Sequence, residues 1–213
     1  MPNNIKNQML IVGTNEQIIE VRNYIRGENR EIDFNKIYPM PNPILETSEK
    51  LNGISFNSKE KIKKGFRVSP LELKEKPELL QDYLMGKAFD ETGFMSWYDW
   101  SIEHWGTKWN AYCIEEITHS MLKWETAWSP VYSLIEILSK KFPELTLVYW
   151  WCEEVPEHGA GEVHFKAGNI TYEKHINDGS KSEYELFFFL KPHWRDDYDL
   201  INGKYVNKEN EDD

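Results

Sequence analysis

The chain has 213 residues, of which 40% are hydrophobic and 29% charged, and a formal net charge of −11. That is enough apolar material for one sizeable core. The acidic balance disfavours nonspecific adhesion to nucleic acid or an anionic membrane. Two cysteines, Cys113 and Cys152, make neither a disulfide framework nor a metal-ligand set, so reduced thiols in a cytoplasm are the expectation. The first residues lack a basic region followed by a long apolar stretch, and no run of 18 apolar residues occurs, so neither a secretory signal nor a membrane span is expected.

Gln8 to Val12 reads as a buried strand ended by Gly13. Thr14 and Gln17 have capping-box spacing, and Ile18, Val21 and Ile25 line one face of the helix that follows. Ile32 to Tyr38 reads as a second strand, stopped by Pro39-Met40-Pro41. Residues 42–96 change character: a basic run Lys59–Lys64, then a helical pattern from Leu71 to Met85 interrupted by Pro77. This stretch has few large apolar residues and reads as a mainly helical insertion rather than a domain of its own.

Trp97, Trp100, Ser101, His104 and Trp105 fall on one face of a helix, with Gly106 as its stop. Ala111–Ile117 and Met121–Trp128 read as paired strands, and Leu122, Trp124, Thr126 and Trp128 alternate with Met121, Lys123, Glu125 and Ala127. Ser129-Pro130 predicts a helix start with Ser129 as cap, and Val131, Leu134, Ile135, Leu138 and Phe142 supply its stripe. Leu145 to Trp151 is apolar on both faces, a central strand. Gly168-Asn169 predicts a C-terminal hairpin, and Tyr184–Leu190 suits either helix or strand. Residues 196–213 read as a polar acidic tail outside a single α+β domain of residues 1–195. Without the insertion the order is a ferredoxin-like split βαβ core, an antiparallel sheet with two helices on one face.

The motifs Asn7-x-Met9-x-Ile11-x-Gly13, Phe34-x-x-Ile37-x-Pro39-Met40-Pro41, Trp97-Tyr-Asp-Trp100-Ser-Ile-Glu-His-Trp105-Gly-Thr-Lys-Trp109, Thr126-Ala-Trp-Ser-Pro130 and Phe142-Pro143 resemble those of the YubB-type family of plasmid and phage proteins. Val131 stands where that pattern has a second proline. The resemblance spans residues 5–151. It implies a ferredoxin-like domain and a mobile-element origin, and it carries over no catalytic residue.

The candidate binding site is the tryptophan segment: Trp97, Trp100, His104, Trp105, Thr107, Lys108 and Trp109. A helix end there would offer indole edges, an imidazole, a hydroxyl and an ammonium to an anionic or aromatic ligand. The same spacing also suits a tryptophan cluster that is simply core. Ser129-Pro130 could bind an anion at a helix start, or only cap it. His119 lies near Glu115 and Glu116, and His158 near Glu153, Glu154 and Glu157, without any metal, nucleophile or phosphate-loop motif. No cofactor or metal is expected. The leading functional expectation is a non-enzymatic module that binds a host or element-encoded protein. The alternatives are an enzyme using His104 and nearby carboxylates, nucleic-acid binding through sheet aromatics or a basic patch at Lys59–Arg67, and mimicry of DNA by the acidic surface.

Overall fold

A computed structural model describes residues 3–51 and 67–208. In chain order its elements are β1 (Asn4–Val12), α1 (Asn15–Ile25), α2 (Phe34–Ile37), α3 (Asn42–Lys50), α4 (Pro70–Glu75), a 3-10 turn (Pro77–Leu79), α5 (Leu80–Thr92) and α6 (Trp97–Trp105). There follow β2 (Tyr112–Thr118), β3 (Met121–Ala127), α7 (Tyr132–Lys141), β4 (Thr146–Cys152), β5 (Ala160–Lys166), β6 (Asn169–Ile176), α8 (Lys181–Leu190), a 3-10 segment (Pro192–Asp197), β7 (Tyr198–Ile201) and β8 (Lys204–Asn207). They form two compact units: residues 1–37 with 110–213, and residues 38–109.

The first unit is ferredoxin-like. Its sheet runs β2-β3-β1-β4-β5-β6, antiparallel throughout, so β1-α1-β2-β3-α7-β4 is the βαββαβ core and β5-β6 extends one edge. Strand alternation sorts the faces. Ile5, Asn7, Met9 and Ile11 of β1 stand beside Leu122, Trp124 and Thr126 of β3 and Leu147, Tyr149 and Trp151 of β4. α7 covers this face: the Tyr149 hydroxyl accepts from the Val131 N–H, 3.0 Å, and donates to the Asn7 amide oxygen. α1 lies beside α7, with the Tyr24 ring edge-on to Phe142 at 5.5 Å. Thr14 and Gln17 close the expected capping box on α1.

The opposite face, carrying Lys6, Gln8, Lys123, Glu125, Trp150 and Cys152, is covered in part by α8. Tyr184, Phe187, Phe188 and Leu190 bury against Cys152 and Ala160 there. Glu183, 1% exposed, ties this layer together: its carboxylate accepts from the N–H groups of Gly159, Asp178 and Gly179. β5 and β6 join through Ala167-Gly168, both at positive φ (49° and 77°), the geometry of a two-residue hairpin turn.

In the second unit, α3 packs on α5, where Ile44, Leu84, Met85 and Ala88 are buried and the Thr47 hydroxyl reaches the Pro43 and Leu84 carbonyls. The insertion therefore spans residues 38–109 and has apolar packing of its own, larger than the expected 42–96. The basic run Lys59–Lys64 lies outside the described residues. Arg67, at its edge, is paired with Asp90 at 2.7 Å.

Three local expectations need correction. Phe34–Ile37 is a helical turn, not part of a strand. The Asp33 side chain accepts from the Asn35 N–H and from the Asn110 amide, and the Asn110 oxygen accepts from the Phe34 N–H. This side-chain capture of backbone donors outcompetes a ladder. Ser129 does not cap α7. The helix begins at Tyr132, Trp128 sits at φ 73°, and the donor ahead of the first turn, Val131 N–H, is taken by Tyr149. Residues 198–207 form the hairpin β7-β8 rather than a tail, because Tyr198 and Tyr205 pack on Tyr184 and Phe188 of α8. No helix among the described residues is long and apolar enough to cross a membrane.

Candidate functional site

The tryptophan segment forms α6 and the turn after it. Ser96 caps its start by accepting from the Asp99 N–H, and Gly106 ends it in the left-handed conformation, φ 76°, which a residue with a Cβ adopts only at a cost. Trp100 and Trp105 are buried and meet edge to face at 5.4 Å. The Trp105 indole N–H donates to the Tyr38 carbonyl, 2.9 Å. His104 packs against Trp100 (4.6 Å), Phe94 (5.1 Å) and Tyr38 (5.4 Å). Thr107 is 1% exposed, and the Ser101 hydroxyl donates to the Lys108 carbonyl, fastening the turn to the helix. The Lys108 ammonium lies 4.4 Å from the centre of the Trp109 ring and 5.6 Å from that of Tyr98. Trp97 meets Tyr98 edge-on at 5.9 Å, and Trp109 is exposed. The segment thus brings its residues together, but the ring faces of Trp100, His104 and Trp105 are spent on one another and on Tyr38 and Phe94. Trp100 and Trp105 are buried, as are Ile44, Leu84, Met85 and Ala88 of the same unit, while Trp109 is exposed.

In the His119 grouping the carboxylates turn to different cations. Glu115 bonds Lys6 while Glu116 bonds Arg22, which also donates to the His119 carbonyl. Among the described residues no group of three His, Cys, Asp or Glu side chains is placed to hold a metal.

A different site appears on the α8 face of the sheet. A cleft of about 380 Å³ opens where the C-terminus of α8 passes β1, β2 and β3, lined by Lys6, Lys123, Lys191, Glu115, Glu125, Glu154 and Trp194 among others. The lysines are three and the glutamates three, so formal charge balances, but the pairing is uneven. Lys6 takes both Glu115 (3.0 Å) and Glu125 (3.4 Å). Lys123 donates to the Leu190 carbonyl at 3.2 Å. Lys191 donates to the carbonyls of Glu153 (2.7 Å) and Glu154 (2.8 Å). Among the described residues neither Lys123 nor Lys191 has a carboxylate within 4.0 Å. Burial holds both ammoniums below their ordinary 10.5; the charge of Lys6 adds to this at Lys123, while Glu125 and Glu154 partly offset it at Lys191. Near the cleft, burial and then Glu125 push the Tyr112 phenol up to about 12 and raise the Cys113 thiol, so neither is an activated nucleophile.

Lys123 is legible in the sequence as one of the residues alternating with Trp124 on β3; its companions in the cleft are not. Lys6 and Lys191 come from positions 117 residues earlier and 68 later, and only the register of β1 on β3 and the passage of α8 unite them.

Residues 104–189 match a family described as "Ferredoxin-like domain in Api92-like protein". Among solved structures, the crystal structure of a protein api92 from Yersinia pseudotuberculosis is similar at 10% sequence identity and a TM-score of 0.46, over 84% of this chain and 99% of that one. No curated protein matches the chain.

Proposed function

We propose that this chain is a non-enzymatic binding module of a plasmid- or phage-type mobile element, of the YubB type. It acts in the cytoplasm on a protein partner, and the lysine cleft holds a carboxylate side chain of that partner. The observation that carries the reading is the state of Lys123 and Lys191. An ammonium has three donors. Here the two half-buried ammoniums donate to backbone carbonyls, and among the described residues no carboxylate lies within 4.0 Å of either, although Glu115, Glu125 and Glu154 line the same cleft. An incoming carboxylate would form charge-assisted bonds and relieve the desolvation. The fixed pairing of Lys6 with Glu115 and Glu125 suits holding an ion rather than moving a proton. The cleft is small enough for one or two side chains, and Trp194 supplies an aromatic wall of the kind common in interface anchors.

The test is calorimetric titration with an acetyl-(Glu)5-amide peptide at low salt. Binding should weaken at least tenfold in Lys123→Gln and again in Lys123→Gln/Lys191→Gln, with unchanged circular dichroism. On binding, the Lys123 ε-amine titration followed by NMR should move upward. Equal affinity in the double variant would remove the lysine cleft from the reading.

A further inference from the structure

We infer that a second pocket lined by Trp194 is a second recognition point, which takes the alkylammonium of a lysine side chain from the same partner. This rests on the reading of the chain as a protein-binding module. The pocket, about 480 Å³, is walled by Tyr184, Trp194, Tyr198, Tyr205, Val206 and Glu157. None of its lining residues is cationic, and one is a carboxylate. Aromatic rings attract cations through their negative π faces, and several rings around one space suit an ammonium that sheds part of its water. The cluster already shows this chemistry within the chain. The Arg195 guanidinium lies 4.9 Å from the centre of the Tyr205 ring and 5.7 Å from that of Phe188. Arg195 donates to the Tyr198 carbonyl and is not itself a lining residue, so the cation the pocket takes shares the Tyr205 ring with it.

The carboxylate is held in place rather than merely nearby. Tyr184, itself buried, donates its hydroxyl to Glu157. Burial and the Glu157 charge push the Tyr184 phenol well up, so it remains a neutral donor. Glu157 stands at φ 67°, an uncommon backbone conformation for a residue with a Cβ. The loop that carries it is fastened at both ends: Glu153 N–H to the Gly159 carbonyl, Gly159 N–H to Glu183, and Lys191 to the Glu153 and Glu154 carbonyls. A preformed wall lowers the ordering cost of binding.

The occupant follows from Trp194, which lines both this pocket and the lysine cleft. A partner segment that places a carboxylate in the cleft runs past Trp194 and meets a pocket of opposite charge preference. A lysine a few residues away then completes a two-point contact of complementary charge.

The experiment uses the full chain. First, n-butylammonium chloride and its neutral isostere 1-butanol are titrated while the tyrosine ring and indole resonances are followed by NMR. The cation should shift Trp194 and Tyr205, and Glu157→Gln should weaken it at least fivefold; 1-butanol should bind at least fivefold more weakly than the cation. Tyr205→Leu is a second variant, with folding checked by its thermal melt. Equal binding of 1-butanol, or no loss in Glu157→Gln, would make the pocket an apolar recess and overturn the inference. Second, peptides with one Glu and one Lys separated by zero to four alanines are compared with the same peptides carrying norleucine for Lys. A tenfold advantage for lysine at one spacing, lost in Glu157→Gln, supports a partner lysine. Tight binding of tetramethylammonium without any lysine advantage would assign the pocket to a free quaternary ammonium and overturn it. The glutamate–norleucine peptide tests the lysine cleft alone, so failure there sinks the earlier reading without deciding this one.

Discussion

Gly161→Ala tests the packing near one end of the β4-β5 pair. Gly161 stands directly opposite Trp151, and the indole fills the space beside the glycine Cα. A Cβ at position 161 would sit 2.3 Å from the Trp151 indole nitrogen, 2.7 Å from Cε2 and 3.0 Å from Cζ2. The ring cannot simply swing aside, because Tyr132 meets it edge-on at 6.4 Å and His175 packs on it at 5.9 Å. Overpacking of this kind costs about 1–3 kcal/mol. For a chain of this size that lowers Tm by about 2–12 °C, at roughly 2–4 °C per kcal/mol. The backbone itself argues the other way, since alanine is favoured over glycine inside a strand by about 0.5–1 kcal/mol. The two effects separate in a double-mutant cycle with Trp151→Leu. Gly161→Ala should destabilise the wild type and be neutral or slightly stabilising in the Trp151→Leu background, a coupling of at least about 1 kcal/mol. Thermal and urea denaturation followed by circular dichroism measure it. An equal loss in both backgrounds would refute the steric argument.

Trp100→Ala removes a buried indole from the second unit and should cost about 3–5 kcal/mol. Lys108→Ala, losing contacts over Trp109 and Tyr98, should cost no more than about 0.5–1 kcal/mol in the same melts. Glu183→Ala orphans three backbone donors at about 1–3 kcal/mol for each that stays buried, and hydrogen exchange at Gly159, Asp178 and Gly179 should accelerate together. Lys123 is a cation whose folded pKa lies below its ordinary 10.5, so the folded state binds its proton more weakly than the unfolded state does. Its contribution to stability is therefore unfavourable at neutral pH and fades as pH rises through the folded pKa toward 10.5. Lys123→Met should be more stable than the wild type at pH 7 by a margin that shrinks by pH 10.5, as read from paired urea curves; a margin that grows with pH would contradict the desolvation argument.

Local patterns carried the βαββαβ core because each of its elements is signed by its own residues. Thr14 and Gln17 box the start of α1, Leu122, Trp124 and Thr126 mark the buried face of β3, and Leu134, Ile135 and Leu138 mark that of α7. The helical face of Trp97–Trp105 was legible for the same reason, but whether its rings were core or site was not, since periodicity gives a face and not what meets it. Tertiary partners decided the remainder. Asn110 and Asp33 turned a β-prone run into α2, and the Tyr149 hydroxyl displaced Ser129 from the start of α7. The Tyr184–Leu190 run became a helix, and residues 198–207 a hairpin, where their aromatic rings could bury against one another over Cys152 and Ala160. Likewise, the alternation of β3 set Lys123 on the face opposite Trp124. Its desolvation and its meeting with Lys6 and Lys191 arose only when α8 crossed that face, because the dielectric around a charge is set by whatever packs over it, from anywhere in the chain.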